Sequence, residues 1–389
     1  MKLASQTFRA ALDYLSGFGA ESDVLLFSPI GSEVIISLNG RAYGEYRCVT
    51  DSPLRARFAA PLRIPARLVQ TLPDDLLVSF SVGSHLKMAV DRNEFVTPLA
   101  DLGCLPERPS VNDGVPFDWD ASVLVPELKS AASSTLQGRG GSAMESVQIR
   151  VLPTRETIVA SDGKQMTVYE RKATEENDLQ RDKDVDSRGL IHRNYVPHVV
   201  ATCASMGRVA IQFSHSFASF ECGRRKSIIP LQDGAFPAWE DPIRNLLSEY
   251  PTLGRAECDA AFFRRSIRQV KMDADNSEEL AGAVCLNCPE KSRSLDIWAQ
   301  SYDGVYSRSA VLLNRRARAI ENAWFSAKYL ERIASHWPRG VPMLIEWRGN
   351  LGPLTLSRPN YRAFVMPMLK TEVPKGQERV NEPAVATAV

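Results

Sequence analysis

One supersecondary pattern is written three times along the chain, and it constrains the fold more than any other feature. Each copy has a short helical stretch, a strand of alternating residues, a polar turn, a second strand and a proline exit. The copies occupy residues 64–99, 194–231 and 325–369. A chain that repeats a whole supersecondary unit at wide spacing is an array of like domains, and arrays serve geometry more often than chemistry. At 389 residues the chain exceeds the size at which a single core stops growing, so two or three domains are expected.

Helical periodicity recurs more often than the three blocks. Candidate helices fall at 6–17, 65–72, 125–137, 195–206, 258–272 and 326–337, with starts about 60 to 70 residues apart. In the first, Phe8, Leu12 and Leu15 share a face. In the third, Leu128, Ala132 and Leu136 are in phase, with Pro126 suited to a first turn. The fifth carries Phe262, Phe263, Ile267 and Val270, and the sixth Tyr329, Leu330, Ile333 and Trp337. This grid predicts six half-units, or three domains of two half-units each. Alternating strands are predicted at 23–28, 33–38, 76–82, 146–152, 208–213, 295–300 and 342–347. Turn signals at Asn39-Gly40, Asp162-Gly163, Asp233-Gly234, Asp303-Gly304 and Gly349-Asn350 punctuate them. Residues 106–116, rich in Pro, Asp and Gly, read as the first domain junction. A dense mixed-charge insertion at 174–188 reads as a loop, and the tail 371–389 has no periodicity.

Bulk properties narrow the function. With 44% apolar and 24% charged residues the composition is that of a soluble protein. No apolar run reaches the length of about 18 residues that a membrane span needs. The N-terminus has Ser5, Gln6, Thr7 and Arg9 where a signal peptide would be apolar, so a cytoplasmic protein is expected. Seven cysteines without a framework fit reduced thiols. The net charge of +1 leaves any DNA-facing surface to the local placement of Lys and Arg.

Motifs for chemistry are sparse. Cys285 and Cys288 have the spacing of half a zinc site or a redox pair, but Cys258 is isolated and His336 distant. His192 and His198 lack the HExxH glutamate geometry. The stretch 138–141 has the glycines of a phosphate loop without its Lys-Ser/Thr ending, and it follows a helix instead of opening one. No nucleophile elbow or carboxylate pair stands out. No catalytic residue, metal or cofactor is expected, and the chain reads as a non-enzyme.

Three ordered motifs on this grid carry a resemblance. Residues 361–369 (YRAFVMPML) resemble the closing strand of the bacterial replicative sliding clamp, the beta subunit of DNA polymerase III. Residues 158–168 (IVASDGKQMTV) are similar to that family's strand–turn–strand with a T-D-G-H-R-L-type turn. Residues 231–239 (LQDGAFPAW) resemble its D-G-x-F-P-D-Y stretch. The resemblance covers about residues 1–370. It implies an α+β fold of three tandem clamp domains, each with two helices packed on antiparallel sheets, forming an arc of a closed ring. The domains would span 1–110, 117–245 and 250–370.

The function implied is that of a processivity factor: a homodimeric ring around double-stranded DNA, read without sequence preference. Its expected partners are the replicative DNA polymerase, a clamp-loader ATPase and other proteins bearing clamp-binding motifs, with no membrane. A sliding ring needs a positive lining without base readout. Candidates are Arg264, Arg268 and Lys271 on the fifth helix and Lys328 and Arg332 on the sixth. Arg9, Arg67, Lys129, Arg139 and Arg208 lie on or beside the others. The implied partner-peptide groove takes Ser161, Asp162, Gly163, Lys164 and Met166 from the turn, with Pro237 and Ile243 after it. Phe364, Met366, Pro367 and Met368 come from the last strand. Thioethers beside a groove suit adaptable peptide binding. Lys164-Gln165-Met166 replaces the family's His-Arg-Leu, and Leu369-Lys370 with about twenty further residues replaces its Arg-Leu end, so peptide preference is expected to differ. Two alternatives stand beside this reading: a clamp-like peptide-binding platform without ring closure, and a thiol or zinc enzyme using Cys285 and Cys288.

Overall fold

A computed structural model of the chain describes residues 1–20, 23–63, 65, 72–112, 114, 116–138, 142–172, 186–204, 207–275, 282–300, 306–314 and 319–368. The predicted helix at 65–72, the Asp303-Gly304 turn, most of the charged insertion and the tail therefore lie outside the described residues. The chain divides into two compact units: residues 1–132, 140–156 and 172–235, and residues 133–139, 157–171 and 236–389.

The first unit holds an eight-stranded antiparallel sheet. Its order is β5 (Phe58–Pro61), β2 (Val24–Ile30), β3 (Glu33–Asn39), β4 (Tyr43–Val49), β16 (Arg225–Pro230), β15 (Phe217–Cys222), β14 (Arg208–Phe213) and β9 (Phe117–Asp120). A four-stranded sheet runs β1 (Lys2–Ala4), β6 (Leu77–Val82), β7 (His85–Val90) and β8 (Asn93–Pro98). β10 (Ser146–Leu152) pairs with β13 (Ser187–His192). Helix α1 (Ser5–Ser16) buries Phe8, Ala11, Leu12 and Leu15, the apolar stripe that its period predicts. Phe8 meets Phe80 edge-on at 5.1 Å, and Phe27 stacks on Phe58 at 4.4 Å. The Tyr14 hydroxyl donates to the Lys226 carbonyl at 2.8 Å and lies 3.0 Å from Thr202 Oγ1, tying α1 to β16 and to α3 (Val196–Thr202). Helix α2 (Ala121–Ser133) starts four residues before the predicted 125. Asp120 accepts from the Ser122 N–H at 2.7 Å, so an aspartate cap sets the start and Pro126 sits inside the helix.

In the second unit, strands run in the order β11 (Arg155–Ser161), β12 (Gln165–Lys172), β24 (Tyr361–Val365), β23 (Leu354–Arg358), β22 (Pro342–Trp347) and β17 (Gly254–Asp259). The first two residues of β11 belong to the first unit. A four-stranded sheet runs β20 (Tyr306–Leu312), β19 (Ser294–Gln300), β18 (Ala283–Cys288) and β21 (Ile320–Ser326). Helix α5 (Ala260–Asp275) is capped by Asp259, which accepts from Ala261 and Phe262 N–H, and it packs Phe263, Ile267 and Val270 inward. Phe262, expected on the apolar face, is exposed under the Arg265 guanidinium instead. Helix α6 (Ala327–Ser335) buries Leu330 and Ile333. Among the described residues one α-helix was not predicted: α4 (Glu240–Glu249), which buries no residue.

The repeat is longer than the sequence pattern indicated. Each copy carries three antiparallel strands, β6–β8, β14–β16 and β22–β24, and the proline exits follow or close the third. Helices α3 and α6 precede the second and third meanders.

Candidate functional site

The Asp162-Gly163 turn is built by its own side chains. The Asp162 carboxylate accepts from the Lys164 and Gln165 backbone N–H groups at 2.9 Å each and from Gln165 Nε2 at 3.2 Å. This is an Asx turn, in which a short carboxylate replaces a backbone partner. Ser161 Oγ donates to the Gln165 carbonyl at 2.8 Å and accepts from Gly163 N–H at 3.1 Å. Gly163 has φ +88°, where a Cβ would be strained.

The last strand docks on this turn. Met166 pairs with Phe364 and Gln165 with Val365. Beyond the strand, Met366 N–H donates to the Lys164 carbonyl at 2.9 Å, and Met368 N–H to the Trp324 carbonyl at 2.9 Å. Phe364 is buried, Met166, Pro367 and Met368 are half-buried, and Met366 is 38% exposed. These bonds gather Ser161, Asp162, Gly163, Lys164, Met166, Phe364 and Met366 at one place. Pro237 is exposed and Ile243 half-buried on α4, and among the described residues no hydrogen bond ties either to that cluster.

Sequence reasoning missed two neighbours. Tyr329, read as part of an apolar helix face, brings its phenol to Asp162. Burial, reinforced by the Asp162 charge and hydrogen bond, pushes its pKa up to about 12. Trp324 meets Trp298 edge-on at 4.7 Å, both half-buried, beside the Met368 bond. An aromatic on the polar flank of α6, one helical turn from Arg332, was the only signal for Tyr329.

The predicted basic residues sit in varied settings. Arg9 pairs with Asp74 and also donates to the Leu72 carbonyl. Arg208 starts a strand, 3.7 Å from Asp118. Arg268 and Lys271 both reach Glu331, at 2.6 and 3.1 Å. Burial raises the Glu331 pKa, but those two hydrogen bonds outweigh it and hold the carboxyl below its ordinary value. Arg332 donates to the Ser133 carbonyl at 2.7 Å. Arg264 is half-buried, while Lys129 and Lys328 are exposed. Arg67 and Arg139 lie outside the described residues.

The thiols are poor nucleophiles. Cys258, Cys285 and Cys288 are buried, and burial pushes Cys258 up to about 12, Cys288 up to about 11 and Cys285 higher still. Cys288 Sγ donates to the Ser294 carbonyl at 3.3 Å. Among the described residues, no three His, Cys, Asp or Glu side chains are placed to hold a metal ion. No helix there is long and apolar enough to cross a membrane.

The fold is that of solved DNA polymerase sliding clamps. The chain is similar over 95% of its length to 99% of the DnaN sliding clamp (DNA polymerase III subunit beta) of Pseudomonas aeruginosa bound to griselimycin, with TM-score 0.81 and 14% identity. It is similar over the same share to 98% of the sliding clamp of Bacillus subtilis (TM-score 0.79, 13% identity) and to 98% of the DNA polymerase III beta subunit of Thermotoga maritima (0.77, 14%). No protein-family model matches the sequence, and no curated protein does. The chain therefore has the clamp fold, the α+β arrangement that the resemblance implied, at a sequence distance where only the fold is shared visibly.

Proposed function

We propose that the chain is a divergent bacterial-type sliding clamp, a processivity factor that holds a polymerase on duplex DNA by topology. The observation that carries this reading is the near end-to-end coverage of solved clamps, 99% of the Pseudomonas aeruginosa chain. A protein that shared one clamp domain with an unrelated architecture would not match over that length. The Asp162 turn and the Met366–Met368 segment supply the partner-peptide groove, with Pro237 and Ile243 on its flank. The domains span 1–110, 117–245 and 250–370, with 371–389 as tail.

Ring closure uses a second copy. Among the described residues two sheets end in strands paired along one edge only, β8 with Phe95 and Val96 exposed and β20 with Leu312 81% exposed. Long exposed edges invite strand pairing between chains, and a head-to-tail pair of such edges closes a two-fold ring. Topological linkage then replaces affinity, so the polymerase, other motif-bearing proteins and a clamp-loading ATPase act on a platform that slides. The helix cations give a loose, sequence-independent attraction to phosphates, and the protein acts in the cytoplasm without catalysis of its own. Loading onto nicked circular DNA tests this directly. Protein should stay on the circle and run off once it is linearised, and equal retention on both forms excludes the ring.

A second reading is favoured by the neutralised cations. Arg9, Arg208, Arg268 and Lys271 each face a carboxylate, which lowers the net field a DNA duplex would meet. A clamp-like platform that binds peptides without enclosing DNA would need no stronger field. Such a protein would remain monomeric at concentrations where the ring assembles.

A further inference from the structure

A polar cavity of about 270 Å³ lies in the first unit. Its roof is the chain at Arg108, Pro109, Ser110, Val111 and Asn112, and its floor is one face of the eight-stranded sheet. Register fixes that floor. Ile228 pairs with Tyr43 on one side and with Ser219 on the other, and Ser219 pairs with Gln212. Two residues along, Lys226 lies between Glu45 and Glu221 in the same way. The cavity thus has an apolar wall of Val111, Pro109 and Ile228 and a polar wall of Ser219, Gln212 and Lys226.

The charges around it do not cancel. Arg108 is held by Glu45, with Nε 3.1 Å from Oε1, and Glu45 itself is buried and accepts from the Tyr43 hydroxyl at 2.6 Å. Lys226 donates to Glu221 at 2.9 Å, and Arg47 reaches the other oxygen of Glu221 at 3.1 Å. Three cations share two carboxylates, which leaves one positive charge at a partly desolvated place where Coulomb attraction is stronger than in water. Ser219 is 94% buried, and it borders the cavity. Gln212 spends Nε2 on the Gly114 carbonyl at 2.8 Å, so its orientation is fixed. A hydroxyl on the cavity wall can donate to a bound acceptor.

We propose that this cavity is a binding site for a small oxyanion, a carboxylate or a phosphoryl group, held by Lys226, Arg108 and the Ser219 hydroxyl. The volume lies at the small end of ligand pockets, enough for the anionic head of a small molecule against the Val111 and Ile228 wall. Occupation would also pin the 108–112 segment to the sheet, because Arg108 belongs to the roof and Lys226 to the floor.

The test is isothermal titration calorimetry of the full chain at constant ionic strength with acetate, with inorganic phosphate and with chloride. Saturable binding of acetate, phosphate or both at one site per chain, absent with chloride, is the expected result, and the pattern distinguishes carboxylate from phosphoryl recognition. Lys226→Met and Ser219→Ala should each weaken it at least tenfold. Lys87→Met, a surface cation paired with Glu94 elsewhere, should leave it unchanged. Ser219→Ala removes a hydroxyl without touching the ion pairs, so it remains informative if Lys226→Met unfolds. Heats indistinguishable from chloride, or wild-type affinity in Ser219→Ala, would overturn the proposal.

Discussion

Met366 is joined to Lys164 by a single backbone hydrogen bond of 2.9 Å, across 202 positions of sequence. That bond lies just beyond the paired residues of β12 and β24, where the Asx turn has swung the Lys164 carbonyl toward the exit of the last strand. The exposed thioether of Met366 is therefore positioned by the Asp162 carboxylate acting through two backbone steps. The groove proposed above would be as rigid as that turn.

Removing the carboxylate should loosen both. Asp162→Ala leaves the Lys164 and Gln165 N–H groups without their acceptor and should cost about 1 kcal/mol of stability, seen as a lower thermal midpoint. Binding of a fluorescent clamp-binding peptide, followed by anisotropy, should weaken in parallel. Met366→Ala should weaken the peptide by about tenfold, equal to about 1.4 kcal/mol, with an unchanged midpoint. An unaltered affinity in both variants would remove the groove assignment.

Glu331 holds two of the cations assigned to the DNA-facing side. In Glu331→Gln, Arg268 and Lys271 lose their carboxylate, so retention on DNA should rise and its salt dependence should steepen by up to about 0.9 for each phosphate newly met. The same pair predicts an acid effect. The Glu331 pKa is lowered in the folded state, so its stabilisation is complete above the ordinary carboxylate pKa and fades as pH falls through the lowered value. Thermal midpoints of wild type and Glu331→Gln should differ at neutral pH and converge at acidic pH.

The thiols offer a direct chemical check. Cys104 is exposed, while the other six cysteines are buried. An alkylating reagent at neutral pH should label one thiol per folded chain, slowly, because the Asp101 hydrogen bond and charge raise the Cys104 pKa. Peptide mass analysis should place that label at Cys104, and Cys285→Ser with Cys288→Ser should keep fold and DNA retention. Rapid labelling of Cys285 or Cys288 would revive the thiol-enzyme reading.

Much of this was legible in the sequence where the cause is local. Asp162-Gly163 announces its turn, because a carboxylate and a residue free to take positive φ are what the turn consumes. The seven predicted strands stand within a residue or two, since alternation maps straight onto a half-buried sheet. Helix α4 was not legible. Ile243, Leu246 and Leu247 give it a thin stripe, no core selects it, and Glu240 and Asp241 in its first turn are its clearest signal. The third strand of each repeat was read as an exit because Pro98 and Pro230 end it. Ion pairs were beyond reach for a different reason. Arg268 and Glu331 lie 63 positions apart, and nothing in either helix says that the two faces meet.

The edges decide between ring and platform. If β8 and β20 close the ring, a charge placed on either edge should break it, because an unpaired lysine ammonium in a strand-pairing interface must be desolvated without a partner. Phe95→Lys and Leu312→Lys replace exposed side chains, so each chain should keep its thermal midpoint. Sedimentation velocity should show the wild type as a dimer and each variant shifted toward monomer. The two variants, being at opposite ends of a head-to-tail contact, should each suffice alone, since both interfaces of a two-fold ring carry one copy of each edge. Retention on nicked circles should fall with the dimer fraction while peptide affinity stays at the wild-type value. A monomeric wild type with intact peptide binding would establish the platform.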